Sequence, residues 1–174
     1  MKTPVSPQLN IIIPAFRAHS QTFLMLLEGI SEEDALRRVN GVTNHLFWMA
    51  GNFVNARYGI GNLLGMVEKD PFEHLFYMGK ALDESLPYPT LDELKKSFYE
   101  VSPGVIERLL NASDDFLGSA FPTDMGISFI PEDVLNMVGM LIGREDYLSG
   151  QMGLMRRILG YSSPSYRFDY PIEF

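Results

Sequence analysis

The chain has 174 residues, with 14 Lys+Arg against 22 Asp+Glu, three histidines and no cysteine. This length suits one domain with its own core, and zero cysteine removes disulfide frameworks, zinc ribbons, iron–sulfur clusters and thiol nucleophiles together. A formal charge of −8 argues against a nucleic-acid partner, whose binding depends on cationic side chains meeting phosphate.

No apolar run approaches the ~20 residues of a membrane-spanning helix. The start of the chain lacks the apolar region and cleavage site of a signal peptide. The expectation is a cytoplasmic protein with no membrane partner.

Pro4, Pro7 and Pro14 mark an extended N-terminal segment, and Pro14 can open the first helix because its missing N–H would be unpaired there anyway. The spacing of Phe16, His19/Ser20, Phe23, Leu24 and Leu27 predicts a helix over 15–28, stopped by Gly29. Ser31 caps the acidic turn Glu32-Glu33-Asp34. After the Asn40-Gly41 turn, Thr43 reads as the N-cap of a second helix that continues to 64. Its inward stripe is His45, Met49, Asn52, Ala56, Ile60 and Leu63.

A long connection with Pro71, Gly79, Pro87 and Pro89 carries an amphipathic piece over 72–78. Thr90 and Glu93 form a capping box for the third helix, which Pro103 should kink or divide. After a loop over 122–128, Pro131-Glu132-Asp133 opens a fourth helix that reaches Leu159. Arg156 and Arg157 there complement the negative end of its dipole. The tail over 161–174 reads as an extended aromatic strap. Four amphipathic helices without period-2 strands indicate an all-α bundle in one domain, 1–174, with its core over about 14–160.

Two segments carry a family resemblance: Asn44-His45-Leu46-Phe47-Trp48-Met49-Ala50-Gly51-Asn52, running on to Leu63-Leu64-Gly65, and Arg144-Glu145-Asp146-Tyr147-Leu148-Ser149-Gly150-Gln151, followed by Met155-Arg156-Arg157-Ile158-Leu159-Gly160. They resemble the second and last helices of the DinB/YfiT-like family, through its Trp-x-x-Gly and Gly-Gln…Arg-Arg…Gly landmarks. The resemblance implies an up-down-down-up four-helix bundle with a long connection between helices 2 and 3, a homodimer, and a metalloenzyme function. It also implies a zinc or nickel ion held by three histidines, in a metal-dependent hydrolase or thiol-dependent transferase. The positions corresponding to those histidines hold Asn52, Arg144 and Leu148. Leucine cannot ligate, arginine repels a cation, and a lone asparagine oxygen is a weak ligand. The expectation is a degenerate metal site and no cofactor.

Arg144 falls on the fourth-helix stripe Met137, Leu141, Arg144, Leu148, Gln151, Met155 and Ile158. A guanidinium facing a bundle must be paired or wet. It either pairs with an inward carboxylate such as Glu28, or reaches solvent at a cavity mouth, or joins Asn52 in holding a small anion by fork-like hydrogen bonds. Asn52, Arg144, His45 and Gln151 are the candidate pocket. A rebuilt metal site from His19, His45 and Glu28 has no supporting spacing.

Adjacent acids such as Glu145-Asp146 diverge by about 100° on a helix and do not make one acid–base dyad. Gly139, Gly143, Gly150 and Gly153 imply close approach of another backbone, from this chain or from a second subunit, since each costs ~1 kcal/mol relative to alanine. Trp48 and the methionines read as core filling. The functional expectation is a small-molecule-binding or interaction protein without a catalytic group, with a metal enzyme of relocated ligands as the competing reading.

Overall fold

The computed structural model describes residues 2–123, 125–172 and 174. Among these there are seven α-helices and no strand: α1 (Ile12–Leu27), α2 (Glu32–Ala35), α3 (Leu46–Leu63), α4 (Glu73–Phe76), α5 (Leu91–Asn111), α6 (Asp114–Leu117) and α7 (Val134–Ile158). No helix among them is long and apolar enough to cross a membrane.

The long helices begin where first-turn amides can be satisfied. α1 starts ahead of Pro14, which sits in the first turn, where its missing N–H leaves no acceptor unsatisfied. The cap of α3 is His45, not Thr43: His45 Nδ1 accepts the Trp48 N–H at 3.0 Å. Thr43 Oγ1 instead accepts the Val39 N–H at 2.8 Å, closing the turn in which Asn40 has φ 51°. α5 begins with the expected Thr90–Glu93 capping box and runs undivided through Pro103. α7 is capped by Asp133, whose Oδ1 accepts the Asn136 N–H.

α3 packs against α5 and α7, and α1 packs against the same two helices. Neighbouring residues fix the sense of each pair. His19 lies beside Glu145, and Leu26 beside Gly153, so α1 and α7 run the same way. Asn52 meets Arg144 and Gly59 meets Leu141, so α3 runs against α7. Tyr58 meets Ser97 and Gly61 faces Val105, so α3 and α5 run together. Phe23 of α1 stacks between Phe53 of α3 and Phe98 of α5, at 4.7 and 4.6 Å between ring centroids. Each such ring contributes about 1.5–3 kcal/mol by leaving water.

The buried face of α7 differs from the predicted stripe. It comprises Val134, Met137, Val138, Ile142, Glu145, Leu148, Met152, Met155 and Arg156. Leu141, Arg144 and Gln151 are half-buried, and Ile158 is exposed. A Cβ added at Gly139, Gly143 or Gly150 would meet open space, and at Gly153 only ordinary contact with Leu26. Close packing within the chain therefore does not account for these glycines.

Arg156, in the last turn of α7, also serves α1. It donates to the carbonyls of Leu26 and Glu28 at the end of α1 and, through Nε, to Ser162 at 2.7 Å. The tail is the expected strap. Tyr170 exchanges backbone hydrogen bonds with the Gln21 amide and donates its hydroxyl to Glu28, and the Phe174 ring meets Phe98 edge-on.

Candidate functional site

The site around Asn52 is built by the docking of the connector onto α3. Gly51 leaves room for the buried Phe76 ring; a Cβ there would lie 2.0 Å from Phe76 Cζ. Trp48, one turn earlier, donates its indole N–H to the Lys80 carbonyl at 2.9 Å. Trp48 thus anchors the connector as well as filling the core. These two contacts hold the 77–80 turn, in which Met78 has φ 56°, against α3. Gly79 there sits so close to Arg144 that a Cβ would fall 3.1 Å from Arg144 Nη2.

Arg144 Nη2 donates to Asn52 Oδ1 at 2.7 Å, and Asn52 Nδ2 donates to the Trp48 carbonyl at 3.0 Å. Both polar atoms of the Asn52 amide thus have a partner, and the Trp48 carbonyl fixes the amide orientation that presents Oδ1 to the guanidinium. No carboxylate pairs with Arg144 among the described residues. The expected partner Glu28 is engaged elsewhere, accepting from the Tyr170 hydroxyl. Of the candidate pocket, the structure joins Asn52 and Arg144. Gln151 makes no hydrogen bond with them, and His45 lies in a separate cleft with Phe47 and Tyr88. Burial holds the pKa of His45 below its ordinary value, in keeping with a neutral ring whose Nδ1 accepts the cap hydrogen bond.

These positions do not fit a divalent cation. Asn52 Oδ1 is occupied by a guanidinium N–H, Arg144 brings a positive charge, and Leu148 is a fully buried apolar side chain. The trio His19, His45 and Glu28 is not assembled either. His19 contacts Glu145 and Asp146, His45 caps α3, and Glu28 binds Tyr170.

A second polar cluster lies in the core. Arg57 and Glu145, neither exposed at all, form a two-point ion pair, Nε to Oε1 at 2.7 Å and Nη2 to Oε2 at 3.0 Å. Arg57 Nη1 donates to Ser20 Oγ at 2.8 Å and Ser102 Oγ at 3.1 Å, so α1 and α5 are tied to the same guanidinium. The Phe16 ring lies 3.8 Å from the guanidinium carbon, close enough for cation–π attraction. His19 bridges outward, with Nδ1 3.0 Å from Glu145 Oε2 and Nε2 2.8 Å from Asp146 Oδ1. Glu145 and Asp146, which diverge around α7, thus converge on one imidazole from its two sides. Fully paired, such a cluster fixes the register of four helices instead of supplying a free acid or base.

Sequence reasoning passed over Arg57 and read Glu145 only as one of an adjacent acid pair. The available signal was that Arg57 is the sole Lys, Arg, Asp or Glu between Arg38 and Glu68, in a helix apolar on nearly every side. Comparison of the chain with protein-family models, with curated proteins and with solved structures finds no match.

Proposed function

We propose that the chain is a DinB/YfiT-like up-down-down-up bundle whose metal site has been replaced by an anion site, binding a small carboxylate or phosphate at Arg144. The senses of the helix pairs and the docking of Trp48 and Gly51 support the fold assignment. One observation carries the functional reading: Arg144 is half-buried, oriented by Asn52, and without a carboxylate among the described residues. A guanidinium has five N–H donors in a fixed fork, and one is used here. The remaining donors suit an oxyanion arriving beside the 77–80 turn.

A homodimer through α7 belongs to the same proposal. Met140, Tyr147, Leu154 and Ile158 are 36%, 64%, 59% and 50% exposed on one side of α7, with the open glycines 143 and 150 between them. That spacing of three and four residues makes a continuous seam for a second helix.

Thermal denaturation tests the anion site. Phosphate or acetate raises the Tm of the wild-type protein by mass action and leaves that of Arg144→Gln unchanged. Stoichiometric zinc or nickel in the purified protein, lost on alanine substitution of His19 or His45, would instead establish a relocated metal site.

A further inference from the structure

We propose a second binding site, in the cleft around His45, for an organic ammonium ion that carries an apolar body and an oxygen acceptor. The cleft has a volume of about 580 Å³ and lies between the α2 turn, the start of α3 and the segment leading into α5.

Its charge is one-sided. Glu32, Glu33 and Glu84 line it, and no lysine or arginine does. Two of these acids already have partners: Glu32 accepts the Leu91 N–H, and Glu84 pairs with Arg38 at 2.6 Å. Glu33 has no side-chain hydrogen bond or ion pair among the described residues. The walls are Phe47, Leu86 and Tyr88, and the Tyr88 ring packs edge-on to His45 at 4.6 Å. Aromatic walls beside an unpaired carboxylate suit an alkyl- or arylammonium better than a bare metal ion.

His45 supplies the independent observation. It is 3% exposed, and its Nδ1 accepts the Trp48 N–H, which places the ring proton on Nε2. Nε2 has no partner among the described residues. The wholly buried side-chain polar atom lacking a partner among those residues is Ser149 Oγ, so Nε2 is not sealed in the core and opens on the cleft that His45 lines. A ligand oxygen seated in the cleft would accept from Nε2 in place of water. His45 precedes Asn52 by seven residues, about 10 Å along α3, so this site and the Arg144 site stand or fall separately.

The probes are tyramine and 4-hydroxyphenylethanol, which share a phenol and differ in the charge of the head group. Calorimetric titration of the full chain should show saturable tyramine binding, with 4-hydroxyphenylethanol at least tenfold weaker. Glu33→Gln, at an exposed position, should weaken tyramine at least fivefold. His45→Asn keeps a good capping side chain and should weaken tyramine at least threefold, while phenethylamine, which lacks the hydroxyl, loses nothing. Arg144→Gln should leave tyramine binding unchanged. Absence of saturable tyramine binding, equal binding of the two probes, or an unchanged affinity in Glu33→Gln would overturn the proposal.

Discussion

Arg57 and Glu145 meet at the centre of the bundle through two parallel hydrogen bonds, 2.7 and 3.0 Å long, with no part of either side chain exposed. Desolvating two charges is expensive, and the attraction between them offsets that cost only while both are present. Arg57→Met strands the Glu145 carboxylate and should destabilise the fold by about 3–5 kcal/mol. The double variant Arg57→Met/Glu145→Leu should recover most of that loss. Ser20 and Ser102 still donate to the carbonyls of Phe16 and Phe98, and His19 keeps Asp146. Urea unfolding of the single and double variants measures the coupling; equal losses in both would show that the pair contributes nothing beyond packing.

The His45 cap makes stability depend on pH. Its pKa is lowered in the folded state, first by burial, so the unfolded chain binds the proton more readily. The contribution is complete above the unfolded pKa of about 6.5 and is lost as pH falls below it. Between pH 7 and 5 the wild-type protein should lose stability more steeply than His45→Asn, whose cap does not titrate. Parallel pH profiles in denaturant would remove His45 as the source.

At the tail the sign reverses. The Tyr170 hydroxyl is pushed up to about 12 by burial and by its hydrogen bond to Glu28. The strap's attachment is therefore complete below pH 10 and weakens as pH rises towards 12. Tyr170→Phe should abolish that alkaline step, read as tyrosinate absorbance together with proteolysis of the tail.

Gly51 and Phe76 set the connector. In Gly51→Ala the new methyl group would collide with the Phe76 ring, and overpacking of this kind costs about 1–3 kcal/mol. Fluorescence of the single tryptophan reports the same event, because Trp48 hydrogen-bonds the connector at Lys80. Gly51→Ala should shift its emission, and the added substitution Phe76→Leu should reverse part of the shift.

Much of the helical layout was legible because caps and stops are local. Ser31, Thr90 with Glu93, Gly29 and Gly160 act within a few residues of where they stand. The site was less legible. Arg57 and Glu145 are 88 positions apart, and nothing local to either identifies the other. The α7 stripe was misplaced because Arg156 and Glu145, both charged, lie on its buried side, so polarity misreports which face is inward. His45 was read on the inward stripe of a helix capped by Thr43, whereas the helix begins later, so His45 is itself the cap and lines a separate cleft.

The exposed seam of α7 predicts association. Sedimentation should show a dimer for the wild-type chain and a monomer of unchanged helicity for Tyr147→Glu. If the wild-type chain sediments as a monomer, Gly143→Ala should simply stabilise it, by up to about 1 kcal/mol, and the seam has no partner.

The anion site at Arg144 is tested most directly by calorimetric titration of phosphate and acetate into the wild-type protein and Arg144→Gln. Losing charge-assisted hydrogen bonds worth about 1.5–3 kcal/mol weakens binding roughly 10- to 100-fold. The predicted result is saturable binding of at least one anion to the wild-type protein and a loss of that size in Arg144→Gln. No saturable binding, or equal affinity in the two proteins, would contradict it.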